Sequence, residues 1–191
     1  DGMDVKAFTG AGAQGVTIED FYGDNFDHKG LGFIRGANIA TFSEIRPIAA
    51  ASMRPPHVPS WGPKFKEWLS TGPKSICGIY AQMEGLPYHA NYLDLDPTKR
   101  DDLDEPKLRV TYDMYDNEKN MAQFLEEKIN AIHRKMGATH IWTILRAPPT
   151  PVFSHVFCGT RMGPDPATSV VNEYGFAHEV PPQTASIVTD L

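Results

Sequence analysis

The chain has 191 residues, a length that suits one domain with a core of its own. Its net charge of −6 argues against a nucleic-acid-binding protein, which would carry a basic face. Two cysteines are too few for a disulfide framework, and no apolar run approaches the roughly 20 residues that a transmembrane helix needs.

The first part of the chain is predicted to form loops and strands. Residues 10–15 read Gly-Ala-Gly-Ala-Gln-Gly, which formally matches the glycine pattern of dinucleotide-binding loops. That pattern requires a helix directly afterwards, whereas Val16-Thr17-Ile18 is β-branched and favours a strand. We therefore expect a glycine-rich loop that enters a strand. A second strand, interrupted by glycines, is predicted from Gly30 to Phe42.

The middle of the chain is predicted to contain a short helix and three strands. The helix runs from Lys64 to Leu69 and should be stopped by Gly72-Pro73. The strands are predicted at Ser75–Gln82, Tyr92–Leu95 and Leu108–Tyr112. Pro97 is expected to end the second strand, since proline cannot donate to a sheet ladder. A charged loop, Lys99–Pro106, should separate the last two strands.

The strongest helical pattern runs from about Glu118 to Met136. Apolar residues recur there at steps of three and four and form one stripe, which consists of Met121, Phe124, Leu125, Ile129, Ile132 and Met136. Asp116 or Asn117 is expected to cap the helix, and Gly137 to end it. We expect the stripe to pack on a sheet and His133 to be exposed near the helix end.

Together these elements predict an α+β fold, a mainly antiparallel sheet backed by helices. Seven histidines raise a metal-binding alternative, but no pair has the spacing of a helical zinc site, so no metal ligand is assigned. A second alternative is a non-catalytic carbohydrate-binding or interaction module. In that module Trp61, Trp68 and Trp142 would stack on sugar faces.

The most informative stretch runs from Ser154 to Pro181. In it, His155 stands shortly before a glycine turn, Gly159-Thr160-Arg161-Met162-Gly163. This stretch resembles the C-terminal signature of the glucose-methanol-choline (GMC) flavin oxidoreductases. The resemblance extends weakly over nearly the whole chain, and the part from His155 to Pro181 is specific.

The resemblance implies an enzyme that oxidises the CH–OH group of a sugar or polyol and passes a hydride to N5 of FAD. His155 is then the expected catalytic base, because a neutral imidazole can take the hydroxyl proton near pH 7. By the same resemblance, Gly159 and Gly163 should let the backbone approach the flavin ring. Thr160 and Arg161 should add hydrogen-bond donors at its polar rim.

The resemblance also implies that residues 1–191 are a single substrate-binding domain, or a fragment, of a larger FAD-dependent dehydrogenase or oxidase. The family's FAD-binding Rossmann part has no counterpart in the sequence, and the pattern departs from the family after Pro181. We expect the FAD-binding domain of the same parent chain and a sugar or polyol substrate as partners. This chain alone should be inactive and bind no FAD. The compartment stays open: no signal peptide is visible, and the family includes periplasmic and membrane-associated enzymes.

Overall fold

The computed structural model describes residues 15–42, 47–144 and 159–178. The chain divides into two compact units, the first from residues 1–85 and 115–145 and the second from residues 86–114 and 146–191. The described residues form two antiparallel sheets and a few helices. The predicted α+β class is therefore confirmed.

A three-stranded antiparallel sheet lies at the centre of the first unit. Its strands follow the order β1 (Thr17–Ile18), β2 (Ala37–Phe42) and β3 (Gly78–Met83). In the middle strand, Ile39 lies opposite Ile18 of β1 and Ala81 of β3. The β-branched residues after the glycine-rich segment thus form a strand, as predicted. Residues 10–14 of that segment lie outside the described residues.

The long helix α3 spans Asp116–Lys135, close to its predicted bounds. Its Met121 and Leu125 are 0% and 2% exposed, and they pack in the core cluster with Ile39 of β2. Phe124 and Ile129 are partly buried against the same cluster. Met136 follows the last helical residue and is exposed, so the buried stripe is shorter than predicted.

The start of α3 differs from the prediction. Tyr115 is the N-cap, and its amide donates to Glu118 Oε2 at 3.2 Å. The predicted caps, Asp116 and Asn117, lie inside the first turn. Asn117 is used for a contact between distant parts of the chain, because its Oδ1 accepts a hydrogen bond from the Ile34 amide at 2.9 Å. Sequence position alone could not show this use.

The segment before β2 is a loop, not the glycine-interrupted strand predicted from Gly30. Gly30, Gly32 and Arg35 have φ angles of 78°, 73° and 67°, and this left-handed backbone cannot continue a strand. Helix α3 holds the loop in place. Asn120 Nδ2 donates to the Gly32 carbonyl at 2.9 Å, one turn along from the contact of Asn117.

Phenylalanine rings join this loop to α3. The ring of Phe124 stacks on Phe26 at 5.7 Å and contacts Phe21 and Phe33 at 5.6 Å and 5.5 Å between centroids. Lys128 Nζ lies 4.8 Å from the centroid of Phe124. The lysine therefore covers the rings and contributes a cation–π contact to the cluster.

His133 is not the exposed residue predicted near the end of α3. It is half-buried, and neither ring nitrogen has a hydrogen-bond partner. Burial lowers the pKa of His133 from its ordinary value. A helix C-terminus favours positive charge, but here the loss of solvation favours the neutral ring.

Two short helices precede β3. Helix α2 (Pro63–Thr71) matches the predicted short helix, although Gly72-Pro73 does not stop it at once, because a 3₁₀ turn continues to Ser75. Helix α1 (Pro47–Ser52) was not predicted, since six residues are too few to show a helical period.

The described strands of the second unit form a ribbon of β4 (Tyr92–Arg100) and β5 (Pro106–Thr111). Contrary to the prediction, β4 does not end at Pro97: the ladder shifts there, and pairing resumes between Arg100 and Pro106. Asp96 makes this irregularity tolerable because its Oδ1 accepts the amides of Thr98 and Lys99, each at 2.9 Å. These bonds lower the pKa of Asp96 to about 2. The charged loop is thus shorter than predicted.

Leu125→Ala should lower the free energy of unfolding of the first unit by about 2–5 kcal/mol, because it leaves a cavity in the core. Ile129→Ala should cost less than about 2 kcal/mol, since Ile129 is only partly buried. Urea unfolding followed by tryptophan fluorescence measures this unit, because Trp61, Trp68 and Trp142 all belong to it.

The exposed residue Glu127 provides the matched control on the same helix. Glu127→Ala should change the unfolding free energy by no more than about 0.5 kcal/mol. Equal losses for Leu125→Ala and Glu127→Ala would contradict the assigned packing of α3.

Candidate functional site

The described part of the candidate site is the segment 159–178. The predicted base, His155, lies outside the described residues. The four predicted cofactor-binding residues all lie at the start of the described segment: Gly159, Thr160, Arg161 and Gly163. Gly159 and Thr160 form a turn, and Arg161 and Gly163 flank Met162, which pairs with Val171 in a bridge.

Backbone hydrogen bonds fold this segment back on itself. The Arg161 carbonyl accepts from the Val170 amide at 2.8 Å, and the Gly163 amide donates to the Val171 carbonyl at 2.9 Å. Val171 also pairs with Ala177 in an antiparallel bridge. Three short stretches therefore lie side by side, and the turn at Gly159 stands at one end of them.

Ser169 and His178 close the loop from within. Ser169 Oγ lies 2.9 Å from His178 Nε2 and 3.0 Å from the Gly163 carbonyl oxygen. His178 Nε2 is 3.2 Å from the same carbonyl oxygen, and Ser169 Oγ is 2.5 Å from that of Asp165. With a proton on Nε2, His178 can donate to Ser169 Oγ and to the Gly163 carbonyl, while the single hydroxyl proton of Ser169 goes to the carbonyl of Asp165 or of Gly163. The two side chains thereby fix the backbone at Gly163.

The two glycines of the turn differ in their surroundings. A Cβ at Gly163 would lie 3.0 Å from Ser169 Cβ, whereas a Cβ at Gly159 would meet nothing within 4 Å. A side chain at position 163 would therefore be tightly packed against Ser169 inside the loop. At Gly159 none of the described residues occupies the space beside the backbone.

The side chains of Thr160 and Arg161 are exposed. They can therefore donate hydrogen bonds to a ligand at the same end of the loop as Gly159. The hydrogen bonds that close the loop hold the backbone at Arg161 and Gly163, next to this end, before any ligand arrives. A backbone held in this way lowers the entropy cost of binding.

A second turn exposes aromatic rings. Asn172 Oδ1 accepts the amides of Tyr174 and Phe176 at 3.0 Å and 3.1 Å, and both rings are exposed. Sequence analysis did not assign roles to Ser169, Asn172 or His178. The Asn-x-x-Gly run at residues 172–175 is a turn signal that could have identified Asn172, but the contact of Ser169 with His178 has no local signal.

The alternative sites receive different support from the described residues. His57 and His140 have ring centroids 6.1 Å apart, yet the described ranges hold no group of three or more His, Cys, Asp or Glu side chains that could bind a metal ion. Trp142 is partly buried and donates to the Met53 carbonyl at 3.2 Å. Trp61 is 81% exposed.

None of the helices within 15–42, 47–144 and 159–178 has the length and apolar character to cross a membrane.

Known proteins similar to this chain are dehydrogenases. The chain is 35% identical over 184 residues to the gluconate 2-dehydrogenase flavoprotein of Pantoea cypripedii, a match that covers 93% of this chain and 30% of that protein. It is 25% identical over 175 residues to the 2-methyl-1,2-propanediol dehydrogenase of Mycolicibacterium austroafricanum, covering 89% of this chain and 31% of that protein.

A third relative is the fructose dehydrogenase large subunit of Gluconobacter japonicus. The chain is 35% identical to it over 121 residues, which cover 62% of this chain and 21% of that protein. The chain thus spans less than a third of the length of these curated relatives. No family model matches the chain. The chain is related in sequence to oxidoreductases, and one of these is a flavoprotein.

Gly163→Ala should loosen the loop, because the added methyl group forces Ser169 away and overpacking of this kind costs about 1–3 kcal/mol. Hydrogen exchange at the amides of Val170 and Val171 should therefore become faster. Gly159→Ala is the control, since its methyl group meets none of the described residues. Unchanged exchange in Gly163→Ala would show that this contact does not stabilise the loop.

Proposed function

We propose that this chain is the substrate-binding part of a larger GMC-type flavoenzyme that oxidises the CH–OH group of a sugar or polyol. The observation that carries the proposal is the 35% identity to a gluconate 2-dehydrogenase flavoprotein over 93% of the chain. The resemblance of the stretch from His155 to Pro181 to the family signature agrees with it.

The names of the relatives support the substrate class. Gluconate, fructose and 2-methyl-1,2-propanediol each carry at least two hydroxyl groups. A site for such compounds needs hydrogen-bond donors and acceptors as well as a group that removes a hydroxyl proton. We therefore favour polyhydroxy substrates over simple alcohols.

Three described residues are the proposed contacts to the polar rim of a flavin. None of the described residues occupies the space beside the backbone of Gly159, and the exposed side chains of Thr160 and Arg161 can donate hydrogen bonds. These three residues would contact the cofactor, and Gly163 would hold their turn against Ser169. FAD, when bound, supplies the acceptor for the hydride.

His155 would act as the base of the reaction. Its neutral imidazole accepts the proton of the substrate hydroxyl as the same carbon loses a hydride, so that a C–H and an O–H bond break and a C=O bond forms. Protonated imidazole cannot do this. The rate should therefore fall as the pH drops through the range in which histidines titrate.

A non-catalytic carbohydrate-binding module is the second candidate. It is favoured by Trp61, which is 81% exposed and could stack on a sugar ring. Trp68 and Trp142 are partly buried and offer less surface. Sugar binding by this chain alone that is lost in Trp61→Ala would support this candidate over the flavoenzyme.

In the full-length parent enzyme, His155→Ala should lower kcat by about 10²–10⁴, the usual contribution of general base catalysis. Flavin content should stay nearly unchanged, and the acidic limb of the pH–rate profile should vanish. His140→Ala, at an exposed position in the first unit, is the control and should keep both rate and flavin. Near-normal turnover of a flavin-loaded His155→Ala enzyme would make His155 structural.

The isolated chain should bind no FAD tightly and oxidise no polyol, because the family's FAD-binding Rossmann part has no counterpart in its sequence. The measurement is the visible absorbance of the protein purified in the presence of FAD. A yellow protein with a stoichiometric flavin spectrum would refute this expectation.

A further inference from the structure

The ribbon of β4 and β5 has two unlike faces. Leu93 lies opposite Val110, and Leu95 lies opposite Leu108. Because side chains alternate along a strand, these four aliphatic residues share one side of the ribbon. We call this side the apolar face, and it consists of Leu93, Leu95, Leu108 and Val110.

The other face of the ribbon is polar. There Arg109 Nε donates to Asp94 Oδ1 at 2.6 Å, and a second bond joins the same two side chains. This pair lowers the pKa of Asp94 from its ordinary value. Lys107 is exposed two residues before Arg109. A face made of such charged side chains is suited to exposure to solvent.

The apolar face is unusually accessible to solvent. Its four side chains are 39%, 48%, 63% and 59% exposed, in the order Leu93, Leu95, Leu108 and Val110. A two-stranded ribbon is marginally stable without a covering layer, and contiguous exposed apolar patches mark interaction sites. When apolar and polar side chains alternate along antiparallel strands in this way, the apolar side normally faces a core.

We propose that the apolar face is covered by the flavin-binding part of the same longer polypeptide. The inference rests on the proposed function. Its support is the length of the relatives: the matched region is 30% and 31% of two of them, so more than two thirds of each polypeptide lies outside the region that this chain represents. An uncharged aliphatic surface suits a permanent contact within one chain better than a transient one.

Thiol labelling tests the proposal directly. In a Cys77→Ser/Cys158→Ser background, Leu108→Cys places a thiol on the apolar face, and Lys107→Cys places one on the polar face beside it. Each variant is treated with a maleimide reagent, both as residues 1–191 alone and in the full-length parent. Leu108→Cys should react about tenfold or more slowly in the parent, because burial removes the thiol from the reagent. Lys107→Cys should react at similar rates in both forms.

Three outcomes would overturn the proposal. Equal labelling of Leu108→Cys in both forms would show that nothing in the parent covers the face. Protection in the isolated chain that disappears on dilution would assign the face to a second copy. Protection of Leu108→Cys in the isolated chain at every concentration would mean that another segment of this chain covers the apolar face. Val110→Cys repeats the test on the same face if Leu108→Cys does not fold.

The labelling experiment can fail separately from the proposed function, because labelling is measured whether or not flavin is bound. Protection of Leu108→Cys in a parent that contains no flavin would keep the contact and reject the proposed function. Full labelling of Leu108→Cys in a flavin-loaded parent would reject the contact and leave the proposed function standing.

Discussion

The structure of the first unit depends on the burial of one helical stripe. Met121 and Leu125 of α3 pack against Ile39 of the central strand, and this contact gives both the helix and the sheet a covered apolar side. The loop before β2 depends on the same contact. Its residues Ile34 and the left-handed Gly32 are held by Asn117 and Asn120 of α3, which can reach them only when the helix is docked.

The sequence predicted the parts of the fold that have a local period. Helix α3 and strand β5 were found because their apolar residues repeat at steps of 3.6 or 2 positions, and β3 because apolar and β-branched residues cluster there. The loop before β2 was missed because glycines in a strand-like run do not reveal the sign of φ. The cap of α3 was misplaced since Asn117 bonds to Ile34, far away in the chain. The prediction that Pro97 ends β4 was wrong because the carboxylate of Asp96 accepts hydrogen bonds from the amides of Thr98 and Lys99, which the ladder leaves unpaired.

The candidate site was predictable in a different way. The turn from Gly159 to Gly163 was identified by its resemblance to a family signature, and the structure adds a physical reason for one glycine, its packing against Ser169. The contact of Ser169 with His178 could not be predicted, because it depends on how the loop folds back. The backbone of the loop at Gly163 depends on this contact between two side chains that are nine positions apart.

The order of elements along the chain has a consequence for biosynthesis. Gly32 and Asn120, which bond to each other, are 88 positions apart. The sheet strands β2 and β3 therefore leave the ribosome well before the helix that covers them. Contacts of such separation form slowly, and the nascent sheet presents Ile39 and Ala81 uncovered while the ribbon of β4 and β5 is still being synthesised.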